Sequence, residues 1–404
     1  MIRAHKIRLH PTREQANYFA RAAGTSRFVW NWALAEWNRQ YAAGEKPTAL
    51  KLKKQFNQIR REHFPWTWEV TKNASDQPFL DLGKAWTAFF AGKASRPRFK
   101  SKKRSHSSFY LANDQFELGD FRMWIPKLGW VNLAENLRFQ GRIIGARVTK
   151  VASWWFVSIQ VEMPDGRPVN TNPPVGVDVG INRLATLSDS TVFENQKPLR
   201  NALKKLAHAQ RSLSRKQPGS KNREKARAKV ARCYYKIACV RDDVLHKLTT
   251  TIAKTYGLVG IENLHVKGLL RNHCLALSLS DAALGRLLTL LETKMLAAGG
   301  QVIKVDRYFP SSKRCSHCHF VNPDLTLADR IYVCSNPICG FTSDRDLNAA
   351  LNMLQEALRL WGELRVVLRT GSEQTEKMPV GGEVRPQGAI TLWLSPMNQE
   401  QRKV

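Results

Sequence analysis

Four cysteines near the C-terminal end constrain the fold more than any other feature of the chain. They form two pairs, Cys315-x2-Cys318 and Cys334-x4-Cys339, with 15 residues between the pairs. Two short cysteine pairs joined by a loop bring four thiolates to the corners of a tetrahedron, which is the geometry of structural zinc. Four filled positions leave none for water, so such a site organises a fold rather than performs chemistry. We therefore predict a module over residues 310–340 that binds one Zn²⁺.

The ligand set has an alternative, because the second pair is spaced more widely than usual. His317 and His319 lie close enough in sequence to replace one of the cysteines. The remaining cysteines, Cys233, Cys239 and Cys274, have no partner at ligand spacing, and we expect them to be buried apolar thiols. An odd total of seven cysteines, four of them clustered, predicts a reducing, cytoplasmic compartment rather than a disulfide framework.

The charge of the chain predicts a polyanionic partner. Lys and Arg number 64 against 33 Asp and Glu, a formal net charge of +31 that is spread over the whole sequence. Such self-repulsion is relieved when phosphates neutralise the basic side chains, so nucleic acid is the expected partner. The stretch "ASRPRFKSKKRSHSSF" is either a solvated charge run or a phosphate-contact loop. The contact residues that we predict there are Arg96, Arg98, Lys100, Lys102 and Lys103.

No apolar run reaches the length of a membrane span, and the N-terminal residues lack the apolar core of a secretory signal. We therefore expect no membrane partner.

Hydrophobic patterning divides the chain into α+β parts. Thr12 and Gln15 fit a capping box that opens a first helix, which we expect to end at Gly24. Period-two alternation over residues 105–163 predicts antiparallel strands that form a small barrel with the first strand. These patterns predict a β-rich domain over 1–11 and 93–168 and a helical domain over 12–92. A mixed domain follows over 174–309 and 341–362, and it contains a basic helical hairpin over 197–236. The tail over 370–404 is predicted to be disordered.

Three carboxylates occupy positions where an acidic residue is energetically unfavourable unless it has a binding partner or a function. Asp178 lies inside the apolar strand "VGVDVG", Glu262 ends the strand "LVGIEN", and Asp346 opens the last helix, which carries leucines at helical spacing. In the ribonuclease-H-like fold these three places meet at one edge of the sheet. Close carboxylates repel unless cations lie between them, so they are candidate ligands of two Mg²⁺ for phosphodiester hydrolysis. The simpler alternative is that each pairs with a basic residue.

Two details of the acidic motif "SDRDLNAALN" stay open. Asp344 competes with Asp346 for the third carboxylate position, or else it caps the helix. Arg345 and Asn348 either contact the scissile phosphate or orient a carboxylate, or they are ordinary surface residues.

Taken together, "GVDVGINRLATLSD", "GIENL", "VDRYFPSSKRCSHC" and "CSNPICGFTSDRDLNAALN" closely resemble the TnpB family. These are transposon-encoded, RNA-guided DNA endonucleases, regarded as ancestors of the Cas12 type V CRISPR effectors. The resemblance continues through "LHPTREQANYFARAAGTSRFVWNWAL", "RPRFKSKK" and "IPKLGWV". It implies a bilobed protein: a wedge β-barrel interrupted by a helical recognition lobe, then an RNase H-like RuvC nuclease domain with an inserted zinc-binding module.

The resemblance also implies roles for individual residues and partners. The catalytic triad of the family falls on Asp178, Glu262 and Asp346. A guide RNA from the transposon end is expected to pair with the target strand of double-stranded DNA, in a monomeric ribonucleoprotein that associates with the nucleoid. Protein side chains would read only a short flanking motif. The corresponding stretch, "TKNASDQPF", points to Asn73, Ser75 and Gln77, although Pro78 departs from the helix usual in the family.

Other functional hypotheses remain at this point. A guided DNA-binding repressor would have lost a carboxylate, whereas all three are present here. A small CRISPR effector of the same fold differs mainly in the origin of its RNA. A transposase that acts directly on transposon ends is disfavoured, because the cysteine module interrupts the segment before the final acid.

Overall fold

The computed structural model describes residues 2–164, 166, 169–326 and 328–375, with side chains as far as residue 364. The tail predicted to be disordered lies outside the described residues from position 376 onward. Residues 370–375 continue the last helix.

The N-terminal half contains an antiparallel sheet and three helices. Its elements in chain order are β1 (Ile2–His10), α1 (Arg13–Ala42), α2 (Ala49–His63), α3 (Asn73–Phe90), β2 (Ser108–Ala112), β3 (Glu117–Gly119), β4 (Arg122–Ile125), β5 (Gly129–Leu133), β6 (Arg142–Val151) and β7 (Trp154–Glu162). Along β1 the side chains alternate, with Ile7 and Leu9 buried and Lys6 and Arg8 exposed, because successive residues of a strand point to opposite faces.

This N-terminal sheet has seven strands in the order β2-β6-β7-β1-β5-β4-β3. The first strand of the chain therefore lies in the middle of the sheet and pairs with β7 and β5. This agrees with the prediction that the first strand joins the strands of residues 105–163. The edge strands β2 and β3 do not pair with each other among the described residues, so the prediction of a closed barrel is wrong here. A strand of three residues such as β3 offers too short a hydrogen-bond ladder to close a barrel.

Helix α1 begins as predicted but ends much later. The capping box is confirmed: Thr12 Oγ1 accepts a hydrogen bond from Gln15 N at 3.2 Å, and Gln15 Oε1 accepts one from Thr12 N at 3.0 Å. The predicted end at Gly24 is wrong, because the helix runs without interruption to Ala42. Buried side chains continue on both sides of the glycine, and their packing outweighs its helix penalty of about 1 kcal/mol.

Helix α3 begins at Asn73 and contains Pro78, so the chain is helical at the position where the proline departs from the family pattern. Pro78 is the sixth residue of the helix, beyond the first turn, so it lacks the backbone N–H that would bond to residue 74 and its ring crowds that carbonyl. Ala74, Phe79 and Leu82 are buried on the same helix, so apolar packing favours the helical conformation through the proline.

The C-terminal half forms a second sheet with helices on its faces. Its elements in chain order are β8 (Pro174–Asp178), β9 (Arg183–Leu187), β10 (Val192–Glu194), α4 (Pro198–Ser214), α5 (Lys221–Thr255), β11 (Leu258–Glu262), α6 (Val266–Leu269), α7 (Ala276–Ala282), α8 (Leu284–Ala297), β12 (Gln301–Val305), β13 (Ile331–Val333), β14 (Thr342–Asp344) and α9 (Arg345–Thr375). The sheet order is β10-β9-β8-β11-β12, with β8, β11 and β12 parallel to one another. The basic segment 197–236 forms α4 and the first part of α5, and α5 continues beyond the predicted hairpin as one helix of 35 residues.

Helix α9 packs directly on the strands through two glycines. A methyl group built on Gly176 of β8 would lie 1.9 Å from Ala350 O, and one on Gly260 of β11 would lie 2.6 Å from Met353 O. Backbone contact this close leaves no room between the helix and the sheet for the leucines of α9. The helix therefore buries small residues such as Ala350 against the sheet, and Leu358 is 43% exposed. The glycines thereby fix the height of α9 above the sheet.

None of the described helices combines the length and the apolar character that crossing a bilayer requires.

Candidate active site and cysteine cluster

Asp178 and Glu262 come together because their strands are parallel neighbours. Val177 of β8 is paired with Ile261 of β11, so the next residue of each strand stands at the same carboxyl edge of the sheet. Neighbouring strands lie about 4.8 Å apart, which puts the two side chains within reach of common ligands. Helix α9 starts at this edge, with Asp346 in its first turn.

Burial raises the pKa values of Asp178 and Glu262, and repulsion from neighbouring carboxylates adds to the shift of Asp178. Burial raises the pKa of Asp178 to about 7, and the negative charges of Asp346 and Glu262 add to the shift, while Arg345 opposes it. Burial also raises the pKa of Glu262, against the opposing charge of Arg307. Clustered carboxylates with raised pKa values are typical of cation sites and of acid–base catalysts.

Asp344 caps helix α9 and is held by a cation that the sequence analysis did not single out. Its Oδ1 accepts hydrogen bonds from Asp346 N at 3.0 Å and Leu347 N at 3.2 Å, and its Oδ2 lies 2.9 Å from Arg183 Nη1. Burial acts to raise the pKa of Asp344, but the bonds to Arg183 and to the backbone lower it overall. Both carboxylate oxygens are thus engaged within the protein. A basic residue opening the otherwise apolar strand "RLATL" was the available signal for Arg183.

Arg183 also reaches the neighbouring acid, because its Nη1 lies 3.8 Å from Asp346 Oδ2. Its contact with Asp344 is closer, at 2.9 Å, so Arg183 is paired mainly with Asp344 and lies beside Asp346. Arg345 Nη1 donates to the carbonyl oxygens of Thr326 and Asp329 at 3.1 and 3.2 Å. Its charge still acts on Asp178, as the pKa of that residue shows.

Asn348 joins the last helix to the cysteine module and does not face the carboxylates. Its side chain is fully buried; Oδ1 accepts from Ser316 N at 2.9 Å and Nδ2 donates to Arg314 O at 2.8 Å. One turn later, Asn352 Nδ2 donates to Ser311 O at 2.9 Å. These buried amides dock the module on α9, the helix whose first turn carries Asp346.

The four cysteines form a compact cluster. Among the described residues, only Cys315, Cys318, Cys334 and Cys339 bring three or more metal-ligating atoms within 4.8 Å of one another. Sγ of Cys315 lies 3.8 Å from Sγ of Cys339, and Sγ of Cys318 lies 3.5 Å from Sγ of Cys334. Tetrahedral coordination at a Zn–S distance of about 2.3 Å places sulfur atoms about 3.8 Å apart, so the cluster is compatible with a structural zinc.

Among the described residues, the carboxylate oxygens of Asp178, Glu262 and Asp346 do not all lie within 4.8 Å of one another, unlike the four thiols.

Of the two histidines considered as alternative zinc ligands, His317 lies beside the cysteine cluster. His317 Nδ1 lies 3.4 Å from Cys339 Sγ, and its ring stacks on Phe341. His317 therefore contacts one cysteine of the cluster, although all four thiols already lie close together.

The cysteines outside the cluster were expected to be buried, and this is wrong: Cys239 and Cys274 are exposed and Cys233 is half-buried. Cys239 and Cys233 lie on α5, a helix with few buried positions for its length.

The basic loop is exposed but firmly attached. Arg96, Arg98, Lys102 and Lys103 are exposed, and Lys100 is half-buried with its Nζ 3.6 Å from the centre of the Trp30 ring. Trp30 Nε1 donates to Arg98 O at 3.0 Å, and Asn31 Nδ2 donates to Lys100 O at 2.8 Å. Helix α1 thus fixes the backbone of the loop, which presents its cations to solvent.

The residues assigned to motif reading differ in accessibility. Ser75 is 1% exposed and its Oγ accepts from Arg60 Nη2 at 3.0 Å, so it serves the interior of the helical domain and is not available to DNA. Asn73 Oδ1 accepts from Ala112 N at 3.1 Å. Gln77 Nε2 donates to Asp81 Oδ1 at 2.8 Å. Asn73 and Gln77 are half-buried and keep part of their surface in solvent.

Comparisons with known proteins agree along nearly the whole chain. Residues 158–273 match the OrfB family of IS605 elements, described as "Probable transposase", residues 1–46 match its helix-turn-helix domain, and residues 285–353 match the TNB domain of Cas12f1-like proteins. A Streptomyces pristinaespiralis protein named as an RNA-guided DNA endonuclease is 36% identical over 367 residues, which cover 88% of this chain and 89% of that protein. The chain belongs to the TnpB family.

Further similarities extend this TnpB assignment. The InsQ protein of Escherichia coli K12, also named as an RNA-guided DNA endonuclease, is 31% identical over 371 residues, covering 87% of this chain and 92% of InsQ. The solved complex of Cas12f1 with sgRNA and target DNA has a TM-score of 0.55 at 15% identity, covering 85% of this chain and 83% of that one. This likeness shows that the TnpB-family chain shares the bilobed α+β fold of Cas12f1. In the present TnpB chain, the segment matched as helix-turn-helix contains one uninterrupted helix, α1.

Proposed function

We propose that this TnpB-family protein is an RNA-guided DNA endonuclease. A guide RNA would pair with the target strand, the protein would read a short flanking motif, and the nuclease site would break the DNA. The observation that carries the proposal is the meeting of Asp178, Glu262 and Asp346 at the carboxyl edge of one sheet. Relatives that carry this name match the chain over most of its length.

The strand and helix order supports an RNase H-like, RuvC-type nuclease domain, formed by residues 174–309 and 341–362. Its two parallel strands and final helix each supply one carboxylate, and these three would hold two Mg²⁺. The chemistry that two such ions supply when bound is activation of the attacking water and stabilisation of the leaving 3′-oxygen. Arg183 would keep Asp346 oriented by binding Asp344 beside it, and Arg345 would moderate the charge on Asp178.

The cysteine module, residues 310–340, would bind one structural Zn²⁺ through Cys315, Cys318, Cys334 and Cys339. The amides of Asn348 and Asn352 hold this module on α9, so the zinc would position a nucleic-acid-binding surface next to the cleft without taking part in hydrolysis.

Nucleic acid would be bound by the N-terminal half. A recognition lobe over residues 12–92 and a wedge domain over 1–11 and 93–168 would share this task. The exposed cations Arg96, Arg98, Lys102 and Lys103, together with Lys100, would contact phosphates. Asn73 and Gln77 would stand near the flanking motif. The working particle would be a cytoplasmic, monomeric ribonucleoprotein with one guide RNA, bound to the nucleoid through DNA.

The experiment that tests this function starts from the full chain purified with its co-purifying RNA. That RNA is sequenced, and plasmids carrying the matching target beside a randomised flank are exposed to the particle with Mg²⁺. We expect double-strand breaks next to one enriched flank. Asp178→Asn should abolish cleavage and keep the RNA, while Asp243→Asn, an exposed carboxylate on α5, should cut normally. A preparation without bound RNA, or cutting by Asp178→Asn, would contradict the proposal.

A further inference from the structure

Gly24 is an unusual residue for the middle of a 30-residue helix. Glycine disfavours helix interiors because its unfolded backbone has more freedom than that of any other residue. Close packing is the ordinary reason to retain one, as at Gly176, but a methyl group built on Gly24 meets no atom within 4 Å outside its own helix backbone. The folded protein itself therefore has room for a side chain at this position.

The free space beside Gly24 belongs to a cleft of about 420 Å³ between α1 and the turn Pro65–Glu69. We call it the Gly24 cleft; its lining residues are Arg21, Gly24, Thr25, Trp66, Glu69 and Val70. Thr25 and Val70 are 1% and 2% exposed and form a closed floor. This volume lies within the range of ligand-binding pockets.

Trp66 gives the cleft a flat aromatic wall. Its side chain is 42% exposed, and the ring of Phe28 packs edge-on against it with a centroid separation of 5.0 Å. Phe28 itself packs on Phe64, so the indole is supported by a second aromatic ring while much of its surface stays exposed. A supported, exposed indole next to a glycine backbone makes a slot that admits a planar ring.

The rim supplies hydrogen-bond donors and acceptors side by side. Arg21 Nη2 lies 2.9 Å from Glu69 Oε2, and the two side chains are 49% and 57% exposed. This ion pair occupies one nitrogen of Arg21 and one oxygen of Glu69, and the exposed remaining atoms of each group face solvent. A nucleobase presents the same combination, a π-face for stacking and an edge with adjacent donors and acceptors.

We infer that the Gly24 cleft binds one unpaired nucleobase, stacked on Trp66 over the backbone of Gly24 with its edge at Arg21 and Glu69. The inference rests on the proposed function, since a chain with a net charge of +31 that binds RNA and DNA brings bases to this surface. The base comes either from the guide RNA or from target DNA that opens beside the flanking motif. The chemistry of the site is the same for both sources.

Gly24→Ala separates ligand binding from folding. Alanine is the better helix former and no protein atom opposes its methyl group, so the melting temperature of the variant should equal or exceed that of the parent protein. The methyl group would nevertheless occupy the place of the base, and we expect about a tenfold loss of affinity, for the guide RNA if the base is its own or for target DNA if the base comes from the DNA. Gly362→Ala in α9 is the matched control, because its methyl group also meets no atom within 4 Å; it should leave binding unchanged.

Trp66→Ala should weaken target binding about tenfold or more, and Trp66→Phe should retain most of the affinity, because stacking needs an aromatic face. The source of the base is identified by photocrosslinking with 5-iodouracil placed either in the guide RNA or in the target DNA. A crosslink to Trp66 from one of the two supports the inference and names the source. Wild-type binding by both Gly24→Ala and Trp66→Ala, no crosslink from either strand, or a lowered melting temperature of Gly24→Ala would overturn it. Failure of the parent protein to hold RNA would instead overturn the proposed function, and this inference with it.

Discussion

Arg183 and Asp344 form an ion pair of 2.9 Å that joins strand β9 to the start of helix α9. Because the other oxygen of Asp344 caps the helix, this carboxylate serves the positioning of α9. Asp346, two residues later, is the acid whose charge acts most strongly on Asp178. The pair thus assigns different tasks to two acids that the sequence left as competitors.

Replacing Asp344 should separate capping from catalysis. Asp344→Asn keeps a good N-cap and should cut DNA nearly as well as the parent protein, whereas Asp344→Ala should lose about 1 kcal/mol of stability through the missing cap. Asp346→Asn should abolish cleavage with no such loss. Urea denaturation and a plasmid cleavage assay measure both effects. Complete loss of cutting in Asp344→Asn would show that Asp344 is the metal ligand.

Asp178→Asn should stabilise the protein in buffer without Mg²⁺, increasingly so as the pH rises from about 4 to 7. The folded-state pKa of Asp178 is about 7, raised from an ordinary value of 3.8. Between these values the unfolded chain has released a proton that the folded protein retains. The parent protein therefore loses stability with rising pH, by up to about 1.4 kcal/mol per pH unit from this group, and asparagine cannot titrate. Denaturation curves at pH 4.5, 5.5, 6.5 and 7.5 measure the difference, and a constant gap between the two proteins would refute the assignment.

Cys315→Ser should remove the zinc and unfold the module. Cys315 is fully buried beside Tyr332 at the centre of the cluster, and three remaining thiols hold zinc much more weakly. Metal analysis by mass spectrometry should give about one zinc per chain in the parent protein and in His317→Ala, and little in Cys315→Ser. Loss of zinc in His317→Ala would make the histidine a ligand.

Gly176→Ala should displace helix α9 and inactivate the nuclease. The added methyl group would lie 1.9 Å from Ala350 O and 2.5 Å from Leu354 N, and backbone atoms on both sides cannot move independently. We expect a loss of about 3 kcal/mol or more in unfolding free energy. Thermal unfolding of Gly176→Ala beside Gly362→Ala, an open helix position, tests this, and equal melting temperatures would contradict it.

Features that depend on local chemistry could be read from the sequence. The capping box of Thr12 and Gln15 needs only residues three apart, and the cysteine pairs need only short loops between ligands. Asp178 and Glu262 stood out because acids interrupt or end apolar strands there, and the structure ends both strands at these residues. Features that depend on distant partners could not be read in this way. Gly24 did not end its helix, because packing across the helical domain decides where α1 stops.

By itself, the sequence determined the basic character of the chain, the four clustered cysteines, the α+β organisation and the three acids Asp178, Glu262 and Asp346 as candidate ligands. Only the tertiary structure decided which surface of α9 is buried, that Asn348 binds the cysteine module, that Ser75 is inaccessible and that Arg183 holds Asp344. The physical reason is the distance along the chain between the partners. Spacing within an element fixes hydrogen bonds between near neighbours, but contacts across more than thirty residues exist only once the sheets and helices have packed together.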